Sequence, residues 1–235
     1  MKLYSGPLSL FTAKVRIALD EKALAYERIE VGWSLAGRYE PHHPDVVALN
    51  PKRQVPVLVD GDVVVYDSTL VLEYLEDRYP DPPLYPRDAI ARARCRQLEA
   101  AADEIWFPSI WDLIESVFYA ASDGRRDPQV ARSEPKASEG HRERADHARE
   151  ALARRYDALD KELAGREFLC GAWSVADIGT FIMVNAATTL GAPPGEDHAR
   201  VRDWRQRALA RPAVRREAES MGAYAAKALA GATKS

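Results

Sequence analysis

The segment Asn50-Pro51-Lys52-Arg53-Gln54-Val55-Pro56-Val57-Leu58, followed by Tyr66-Asp67-Ser68, carries the pattern from which the fold of this chain can be predicted. A proline removes a hydrogen bond from the interior of a strand, so Pro56 is predicted at a strand start or in a special turn. A cis Val55–Pro56 bond suits such a turn, although most bonds before proline are trans. With that geometry, Val55 is expected to present its backbone N–H and C=O outward like an edge strand, ready to pair with a peptide-like ligand.

The residues that follow this segment predict a hairpin and then a helix. Gly61-Asp62 is a typical turn between two short apolar strands. Asp67 or Ser68 is expected to cap a helix that runs to about residue 78. A helix N-terminus that offers free N–H groups and a hydroxyl is a binding site for a carboxylate.

The first part of the chain shows a βαβ unit ahead of this hairpin. Residues 2–4 and 26–31 are predicted strands, and residues 9–22 form a helix between them by apolar spacing. Because such crossovers are right-handed, the two strands are expected to pair in parallel. With the hairpin over 56–66 added, this order predicts an α/β, thioredoxin-like domain over residues 1–80.

Strand signals are absent beyond the proline-rich linker Tyr79-Pro80-Asp81-Pro82-Pro83, and helical periodicity takes their place. A long helix rich in Ala and Arg is predicted over residues 88–119. Pro108 cannot continue the backbone hydrogen bonds of a helix, so a kink or a break is expected near Phe107.

The rest of the chain completes an all-helical domain over residues 88–235. Residues 122–140 hold almost no large apolar side chain and are predicted to form a mobile loop. Further on, Ser174 to Asp177 has the spacing of a capping box, with Asp in place of the usual Glu, and is expected to open a buried helix. The predicted fold class is therefore α/β plus all-α.

Length and composition exclude several classes of protein. The 235 residues suffice for two domains, and 46% hydrophobic with 29% charged residues is typical of a soluble globular protein. No apolar run approaches about 18 residues and the start of the chain lacks signal-peptide features, so no membrane association is expected and a reducing cytoplasm is the default. A net charge of −3 does not favour nucleic acid. Cys95 and Cys170 form no C-x-x-C, which argues against a dithiol oxidoreductase and a structural zinc site.

This order of elements and motifs resembles the cytosolic glutathione transferase family over nearly the whole chain. The helical second half is also similar to that family, with its apolar-Gly link followed by a Ser-x-Ala-Asp cap. The resemblance implies that the backbone of Val55, ahead of cis Pro56, pairs with the cysteinyl unit of glutathione. It also implies that Asp67 and Ser68 hold the γ-glutamyl end and that the Gln54 side chain makes a further contact.

The chemistry of this family requires a hydrogen-bond donor aimed at the glutathione sulfur, because the thiolate is the nucleophile. Aligning residues 15–19 with the first helix of the family places Ser9 where the phi, tau and zeta types carry a catalytic serine. The tyrosine of other types would fall near Ser5 and the cysteine of a third group near Phe11, and neither is present. Ser9 also fits a plain N-cap, and the two roles are compatible if the helix starts a little later. Ser5 and Thr12 are the alternative donors.

The glycyl carboxylate of glutathione requires a cation or amide donors. His42, His43, Lys52 and Arg53 lie just ahead of the cis-proline motif, and some serine-type relatives use a basic pair at about the positions of the two histidines. The other interpretation is a solvated loop in which His43 caps a short helix before Pro44. The sequence leaves open which of these side chains makes the contact.

An apolar second substrate is expected because aromatic residues crowd the helix near its proline. By helical spacing, Trp106 and Trp111 lie on adjacent faces, so one face can pack in the core while the other lines a pocket. Phe11 and Trp33 are expected to face this pocket from the first domain.

The sequence, read with this resemblance, predicts a bacterial, cytoplasmic, serine-type glutathione transferase of the detoxifying kind, which uses glutathione as co-substrate and no metal. A twofold homodimer is expected from the family and from the Ala- and Arg-rich helix over 89–102. The reaction subtype is open among conjugation, dehalogenation, ether cleavage, isomerisation and peroxide reduction. The alternative is a non-catalytic protein of the same fold that acts by binding, for example in a stress response.

Overall fold

A computed structural model describes residues 1–34, 37–40, 42–123 and 135–232 of the chain. Within these residues the N-terminal domain is built on a four-stranded sheet. The strands are β1 (Lys2–Ser5), β2 (Glu27–Glu30), β3 (Val57–Asp60) and β4 (Val63–Tyr66). Their order is β2-β1-β3-β4. Strands β1 and β2 run parallel, as the βαβ pattern predicts, whereas the β1–β3 and β3–β4 pairs are antiparallel.

Helices cover both faces of this sheet. They are α1 (Leu10–Glu21), α2 (Pro44–Leu49) and α3 (Ser68–Arg78). Successive side chains of a strand point to opposite faces of the sheet. Leu3 and Leu58 therefore join the main core on the side of α1 and α3. Tyr4 and Val57 point to the other side, where they form a smaller cluster with Val46 of α2. The predicted thioredoxin-like arrangement is confirmed.

The described residues after this domain are helical, as predicted. Their helices are α4 (Ala89–Ala101), α5 (Phe107–Asp123), α6 (Pro135–Glu162), α7 (Val175–Thr189), α8 (Ala199–Ala210) and α9 (Pro212–Ala232). The capping box predicted at Ser174 and Asp177 is present at the start of α7. The Asp177 carboxylate also accepts hydrogen bonds from the Leu169 N–H and from Trp204 Nε1, both at 2.9 Å, and so joins three segments in the core.

The junction of α4 and α5 is a π-helical segment over Ala102–Trp106. Here the N–H of Phe107 donates to the carbonyl oxygen of Ala102, five residues back instead of four. Pro108 follows at once, and it has no N–H to extend a regular ladder. The regular α-helix is therefore interrupted just before Pro108, by a widened turn within a continuous helical path and not by a break.

The loop predicted over residues 122–140 is too long. Helix α5 continues through Asp123 and α6 begins at Pro135, so residues 135–140 are helical. Proline suits the first turn of a helix, where its missing N–H has no partner in any case, and the low content of apolar residues concealed this start. Residues 124–134 of the predicted loop lie outside the described part of the chain.

The two halves of the molecule meet along α1, which packs against both α7 and α9. Arg16 Nε in α1 donates to Glu217 Oε2 in α9 at 2.8 Å, and both side chains are buried. Nearer its C-terminal end, Glu21 accepts from Arg211 Nε at 3.0 Å. These ion pairs hold α1 against the helical domain, and its N-terminus therefore has a defined position.

Candidate functional site

A cavity of about 440 Å³ lies between the first turn of α1, the segment that leads into α2, the turn before β3 and the start of α5. Both domains therefore contribute to its wall. Several residues singled out in the sequence line it together: Ser9, Phe11, His42, His43, Gln54, Val55 and Trp111.

Ser9 is the N-cap of α1 and is only 8% exposed. Its Oγ accepts a hydrogen bond from the Thr12 N–H at 3.1 Å, which leaves the hydroxyl hydrogen for a further acceptor. No acidic residue lies in the first turn of α1, so the positive end of the helix dipole is not neutralised there. This arrangement can donate a hydrogen bond to an anion and stabilise its charge.

The two alternative donors are not part of the cavity lining. Ser5 is fully buried, and its Oγ accepts a hydrogen bond from Arg16 Nη1. The hydroxyl of Thr12 is also buried and has no hydrogen-bond partner among the described residues. Of the three hydroxyl groups considered from the sequence, Ser9 is the one that faces the cavity.

The turn before β3 is organised by the side chain of Asn50, which is almost fully buried. Asn50 Nδ2 donates to the carbonyl oxygen of Gln54 at 2.7 Å, and Asn50 Oδ1 accepts from the Lys52 N–H at 2.9 Å. The Val55–Pro56 bond is cis, in agreement with the motif. In the described part of the chain, no hydrogen bond uses the N–H or carbonyl oxygen of Val55, so both are available at the cavity wall.

The N-terminus of α3 lies beside this turn. The antiparallel register pairs Val57 with Tyr66, which brings Pro56 next to Asp67. Asp67 has φ +78°, a left-handed backbone conformation that is costly for a residue with a side chain and that clusters at functional sites. Pro56, Asp67 and the following serine, although predicted as site residues, are not part of the cavity lining.

The side chains at this N-terminus combine both charges. Asp67 accepts from the Thr69 N–H at 3.2 Å and pairs with Lys52 Nζ at 3.0 Å, in a partly exposed contact. Ser68, the first residue of α3, is buried, and within the described residues its hydroxyl makes no hydrogen bond. The free helical N–H groups and this hydroxyl favour a carboxylate, whereas Asp67 favours a cation.

A buried charge cluster, which sequence reasoning missed, lies beneath the N-terminus of α3. It consists of Lys14, Glu99 and Asp103, with Lys14 Nζ at 2.6 Å from Glu99 Oε1 and at 2.7 Å from Asp103 Oδ2. Thr69 Oγ1, in the first turn of α3, donates to Glu99 Oε2 at 3.0 Å. The cluster holds one positive and two negative side chains. Burial raises the pKa of Asp103, and Lys14 opposes that rise while the charges of Glu99 and Asp67 add to it.

The signal for this cluster in the sequence is a lysine on the side of α1 that also carries its apolar residues. Lys14 is fully buried with Val15 and Ala18 around it, and a buried lysine requires an acidic partner. The partners come from α4 and the π-helical segment, so their identity is a property of the tertiary structure. Gly179 of α7 packs against this region: an added Cβ would be crowded by Ala102 Cβ at 3.3 Å, while its contacts with Lys14 Cδ at 3.7 Å and Glu99 Cγ at 3.8 Å would be ordinary.

The basic residues ahead of β3 divide into two groups. His42, His43 and Arg53 line the cavity, whereas Lys52 is paired with Asp67. His43 is the N-cap of α2, and its Nδ1 accepts from a backbone N–H at 3.2 Å, as the alternative interpretation predicted. His42 Nε2 lies 2.9 Å from Glu40 Oε1. Arg53 and the two imidazoles are therefore the basic side chains of the cavity lining.

A second, mainly apolar cavity of about 280 Å³ adjoins the first and shares Tyr39, Trp111 and Ile114 with it. Trp33, predicted as pocket lining, belongs to this second cavity, together with residues of α7 and α9. The Arg38 guanidinium lies 5.3 Å from the Trp111 ring and pairs with a glutamate of α5 at 2.7 Å. The residues that they share make the two cavities neighbours.

Trp106 was predicted to line the pocket of the second substrate, but it is not part of the lining of either cavity. It is 8% exposed within the main core, with its ring centroid 5.5 Å from that of Tyr156 in α6. Trp111 is 44% exposed and reaches the cavity. Of the two adjacent helical faces, the one with Trp106 packs in the core because α6 covers it.

Neither a metal site nor a membrane span is found in the described ranges. No group of three or more His, Cys, Asp or Glu side chains there is placed to hold a metal ion. No helix in those ranges is long and apolar enough to cross a bilayer.

Family comparisons match both halves of the chain. The family model of the glutathione S-transferase N-terminal domain matches residues 3–83, and that of the glutathione S-transferase C-terminal domain matches residues 111–212. A crystal structure of a glutathione S-transferase from Rhodospirillum rubrum F11 is similar with a TM-score of 0.75 and 26% sequence identity. That similarity covers 92% of this chain and 90% of the other.

Two curated relatives match over shorter stretches. The "Stringent starvation protein A homolog" of Coxiella burnetii (strain RSA 493 / Nine Mile phase I) is 42% identical over 100 residues, which are 42% of this chain and 44% of that protein. "Glutathione S-transferase Z1" of Arabidopsis thaliana is 45% identical over 93 residues, or 40% of this chain and 41% of that protein. The chain thus spans less than half the length of these relatives.

Proposed function

The chain belongs to the cytosolic glutathione transferase family, and we propose that it is a serine-type enzyme that adds the thiolate of glutathione to an electrophilic carbon of an apolar substrate. The observation that carries the proposal is the Ser9 hydroxyl, which lies in the cavity wall at the N-terminus of α1 with its hydrogen available. A donor at that position can stabilise a sulfur anion.

The proposed mechanism rests on lowering the pKa of the bound thiol. The Thr12 N–H polarises the Ser9 hydroxyl by donating to it, which strengthens the bond that Ser9 itself donates. The dipole of α1 adds a favourable potential for the thiolate. A hydrogen bond to an anion contributes about 1.5–3 kcal/mol, which corresponds to roughly one to two units of thiol pKa.

Binding of the tripeptide would use the available groups around the cavity. The backbone N–H and carbonyl oxygen of Val55 pair with the cysteinyl unit, with the Gln54 side chain nearby. Ser68 and the α3 N-terminus hold the γ-glutamyl carboxylate, while Asp67 attracts the ammonium. The buried charge cluster adds net negative charge behind that ammonium.

The other end of glutathione and the second substrate would fill the remainder of the site. Arg53, His42 and His43 offer positive or hydrogen-bonding groups to the glycyl carboxylate. The apolar cavity that includes Trp33 and Trp111 would hold the electrophile. Phe11, which lines the first cavity, would stand where the electrophile approaches the glutathione sulfur. Since this second cavity is mainly apolar, an aryl or alkyl electrophile fits it better than a charged one.

We also propose a cytoplasmic, twofold homodimer. Large apolar side chains are exposed on β4, α3 and α4, with Val63 at 44%, Leu70 at 53% and Ile90 at 82% exposure. A symmetric partner would cover these side chains. Sedimentation at micromolar concentration tests this: a species of twice the 26.2 kDa chain mass is expected, and a monomer would contradict it.

The experiment that tests the sulfur site uses Ser9→Cys in a protein whose Cys95 and Cys170 are replaced by serine. Offered glutathione disulfide, the thiol at residue 9 is expected to displace glutathione and to retain the other half as a mixed disulfide. Thr12→Cys in the same background is the matched control, because residue 12 is buried away from the cavity. Peptide mapping that finds equal labelling of both positions, or none at residue 9, would contradict the site.

A second candidate function is binding without catalysis, which the similarity to a protein named for stringent starvation favours. Both candidates predict retention on a glutathione column, so the discriminating measurement is turnover. A panel of aryl halides, epoxides, β-aryl ethers and maleyl compounds should yield a glutathione-dependent rate for the enzyme. Retention on glutathione without turnover of any electrophile would favour the binding protein.

A further inference from the structure

A buried arginine on α1 joins two parts of the proposed site. Arg16 Nε donates to Glu217 Oε2 at 2.8 Å, and Arg16 Nη2 donates to the other oxygen of the same carboxylate in α9. The two side chains are only 4% and 8% exposed. Because the guanidinium is planar and rigid, this two-point contact also fixes the direction in which the remaining nitrogen, Nη1, points.

That nitrogen holds the turn over residues 6–9, which ends at Ser9. Arg16 Nη1 donates to the Ser5 hydroxyl and, at 3.2 Å, to the carbonyl oxygen of Gly6. The same carbonyl oxygen accepts from the Ser9 N–H at 3.3 Å, which is longer than the usual range of about 2.7–3.2 Å for such a bond. Because its own backbone bond is long, the turn depends on Arg16 for its position relative to α1.

The position of this turn matters because both cavities border it. Ser9 lines the first cavity, and Leu8 lines both. Gly6 packs against Tyr39, another residue that lines both cavities, and an added Cβ at Gly6 would lie 2.6 Å from Tyr39 Oη. The turn therefore cannot move towards Tyr39 without displacing part of the cavity wall.

Helix α9, on the other side of the ion pair, forms a wall of the second cavity. Ala218, directly after Glu217, lines that cavity, and so do Met221 and Gly222 one helical turn further along. The carboxylate that orients Arg16 thus belongs to the helix that is proposed to border the electrophile.

We propose that Arg16 is a positioning residue for the sulfur donor, which holds the Ser9 hydroxyl at a fixed place relative to the α9 wall of the second cavity. The inference rests on the proposed function, because it gives Arg16 a part in the activation of glutathione through Ser9. Arg16 lines neither cavity, so it acts through the turn and not on the substrate. A displaced Ser9 hydroxyl would donate a weaker hydrogen bond to the thiolate, and the pKa of the bound thiol would rise.

The test measures the pH–rate profile and the KM for glutathione in Arg16→Lys. Lysine keeps a positive charge for Glu217, but a single ammonium cannot grip the carboxylate at two points and also hold the turn in a fixed geometry. The pH midpoint of turnover is expected to rise by about 0.5–1 unit, which is roughly a three- to tenfold loss of thiolate at neutral pH. KM for glutathione should change little, because Val55, Asp67 and Ser68 are untouched.

Glu21→Gln is the matched control. Glu21 accepts from Arg211 Nε at 3.0 Å and from Arg211 Nη2 at 2.6 Å, so this pair has the same two-point geometry and also holds α1 against the helical domain. It lies at the opposite end of α1 from Ser9. Its loss should lower the urea midpoint of unfolding, as in Arg16→Lys, but should leave the pH midpoint of turnover unchanged. An equal pH shift in both variants would reduce Arg16 to a general stabiliser of the domain contact and overturn the proposal.

Glu217→Gln tests the connection to α9. Glutamine keeps one acceptor for Arg16 and leaves the contacts of Arg16 with the turn possible, so the pH midpoint should shift in the same direction by a smaller amount. An unchanged midpoint would overturn the connection between α9 and Ser9. If circular dichroism shows that Arg16→Lys does not fold, Glu217→Gln takes its place in every comparison.

Ser9→Ala separates failure of this inference from failure of the proposed function. When Ser9→Ala is combined with Arg16→Lys, no further shift of the pH midpoint is expected, because the donor that Arg16 positions is already absent. Additive shifts, or a shift in Ser9→Ala but none in Arg16→Lys, would overturn this inference alone. A natural pH profile in Ser9→Ala would instead refute the serine-type function, and the inference with it.

Discussion

The N-termini of α1 and α3 both border the proposed glutathione site, yet their side chains are arranged for different charges. At α1 the cap is the neutral hydroxyl of Ser9, and the first turn holds no acidic residue. At α3 the cap is Asp67, which pairs with Lys52 and lies above the buried charge cluster. One N-terminus offers a single donor to an anion, and the other offers groups of both signs to a zwitterion.

This difference predicts that the side chains around a helix N-terminus decide which ligand it favours. The backbone supplies the same free N–H groups and the same dipole in both helices. An acidic cap at α1 would repel a thiolate, whereas at α3 it complements an ammonium next to a carboxylate. Substitutions at the two N-termini and in the charge cluster beneath α3 test this contrast.

Lys14→Met is expected to cost the most, because it leaves Glu99 and Asp103 buried without their cation. Breaking a buried ion pair from one side costs about 3–5 kcal/mol of unfolding free energy. Urea denaturation measures the loss. Lys2→Met is the matched control, since the Lys2–Glu27 pair is more than half exposed and 4.0 Å long, and such pairs contribute less than about 1 kcal/mol. Equal losses for the two variants would contradict a structural role for the cluster.

The loss in Lys14→Met should also depend on pH, with a sign set by Asp103. Burial raises the pKa of Asp103 in the folded protein, so the folded state holds this proton more tightly than the unfolded chain. Protonation therefore favours folding as pH falls through the raised pKa. Removal of Lys14 raises that pKa further, and the difference in unfolding free energy from the natural protein should shrink as pH falls below neutral. A difference that grows towards acid would refute this account.

Ser9→Ala is expected to reduce turnover near neutral pH by roughly ten- to a hundredfold, because one hydrogen bond to the sulfur anion is lost. Part of the rate should return at higher pH, where the thiolate forms without assistance. The pH–rate profile measures both effects. Ser9→Thr keeps a hydroxyl at this position and serves as the control. Because Ser9→Ala also removes the cap of α1, it is expected to lower the free energy of unfolding by about 0.5–2 kcal/mol. An unchanged profile would mean that the donor lies elsewhere.

Asp67→Asn is expected to weaken glutathione binding by about tenfold, at the low end for a hydrogen bond to a charged group because Asp67 is partly exposed. Asparagine can still cap α3 and tolerates positive φ, so folding should change little. The thiol pKa of bound glutathione should not move, because Ser9 is intact. Calorimetry and thiol titration measure the two quantities. A shifted thiol pKa with unchanged affinity would invert the contrast between the two N-termini.

Lys52→Met is expected to have the smallest effect. Its contact with Asp67 is partly exposed, and such pairs contribute about 0–1 kcal/mol. Removal of this cation also frees Asp67 for the ammonium, so glutathione affinity should stay equal or rise slightly. Titration at low and high salt checks this result. A large loss of affinity would make Lys52 a direct ligand of glutathione.

The sequence predicted the elements whose determinants lie close together in the chain. The turn at Val55–Pro56 and the cap at Ser174 each depend on a few neighbouring residues, and both are confirmed. The irregularity expected near Pro108 is present as a π-helical segment. The fold class and the family followed from the order of such local signals, and both are confirmed. The ligand roles of Ser9 and Asp67 stay predictions.

What the sequence did not predict depends on contacts between distant elements. Lys14 meets Glu99 only because α1 and α4 pack beside α7, and no local rule selects that partner. Trp106 and Trp111 have similar chemistry and adjacent positions, and only the placement of α6 assigns the first to the core.

The π-helical segment at Ala102–Trp106 also sets the rotational phase of the aromatic wall. An α-helix advances about 100° per residue, so a turn that accommodates one extra residue offsets every later side chain around the axis. Phe107 and Trp111 reach the cavity with this offset, while Asp103 inside the segment still turns to Lys14. Deletion of one residue from the segment would restore a regular helix and swing Trp111 out of the wall. Loss of a single codon here would therefore alter the shape of the cavity without replacing any residue that lines it.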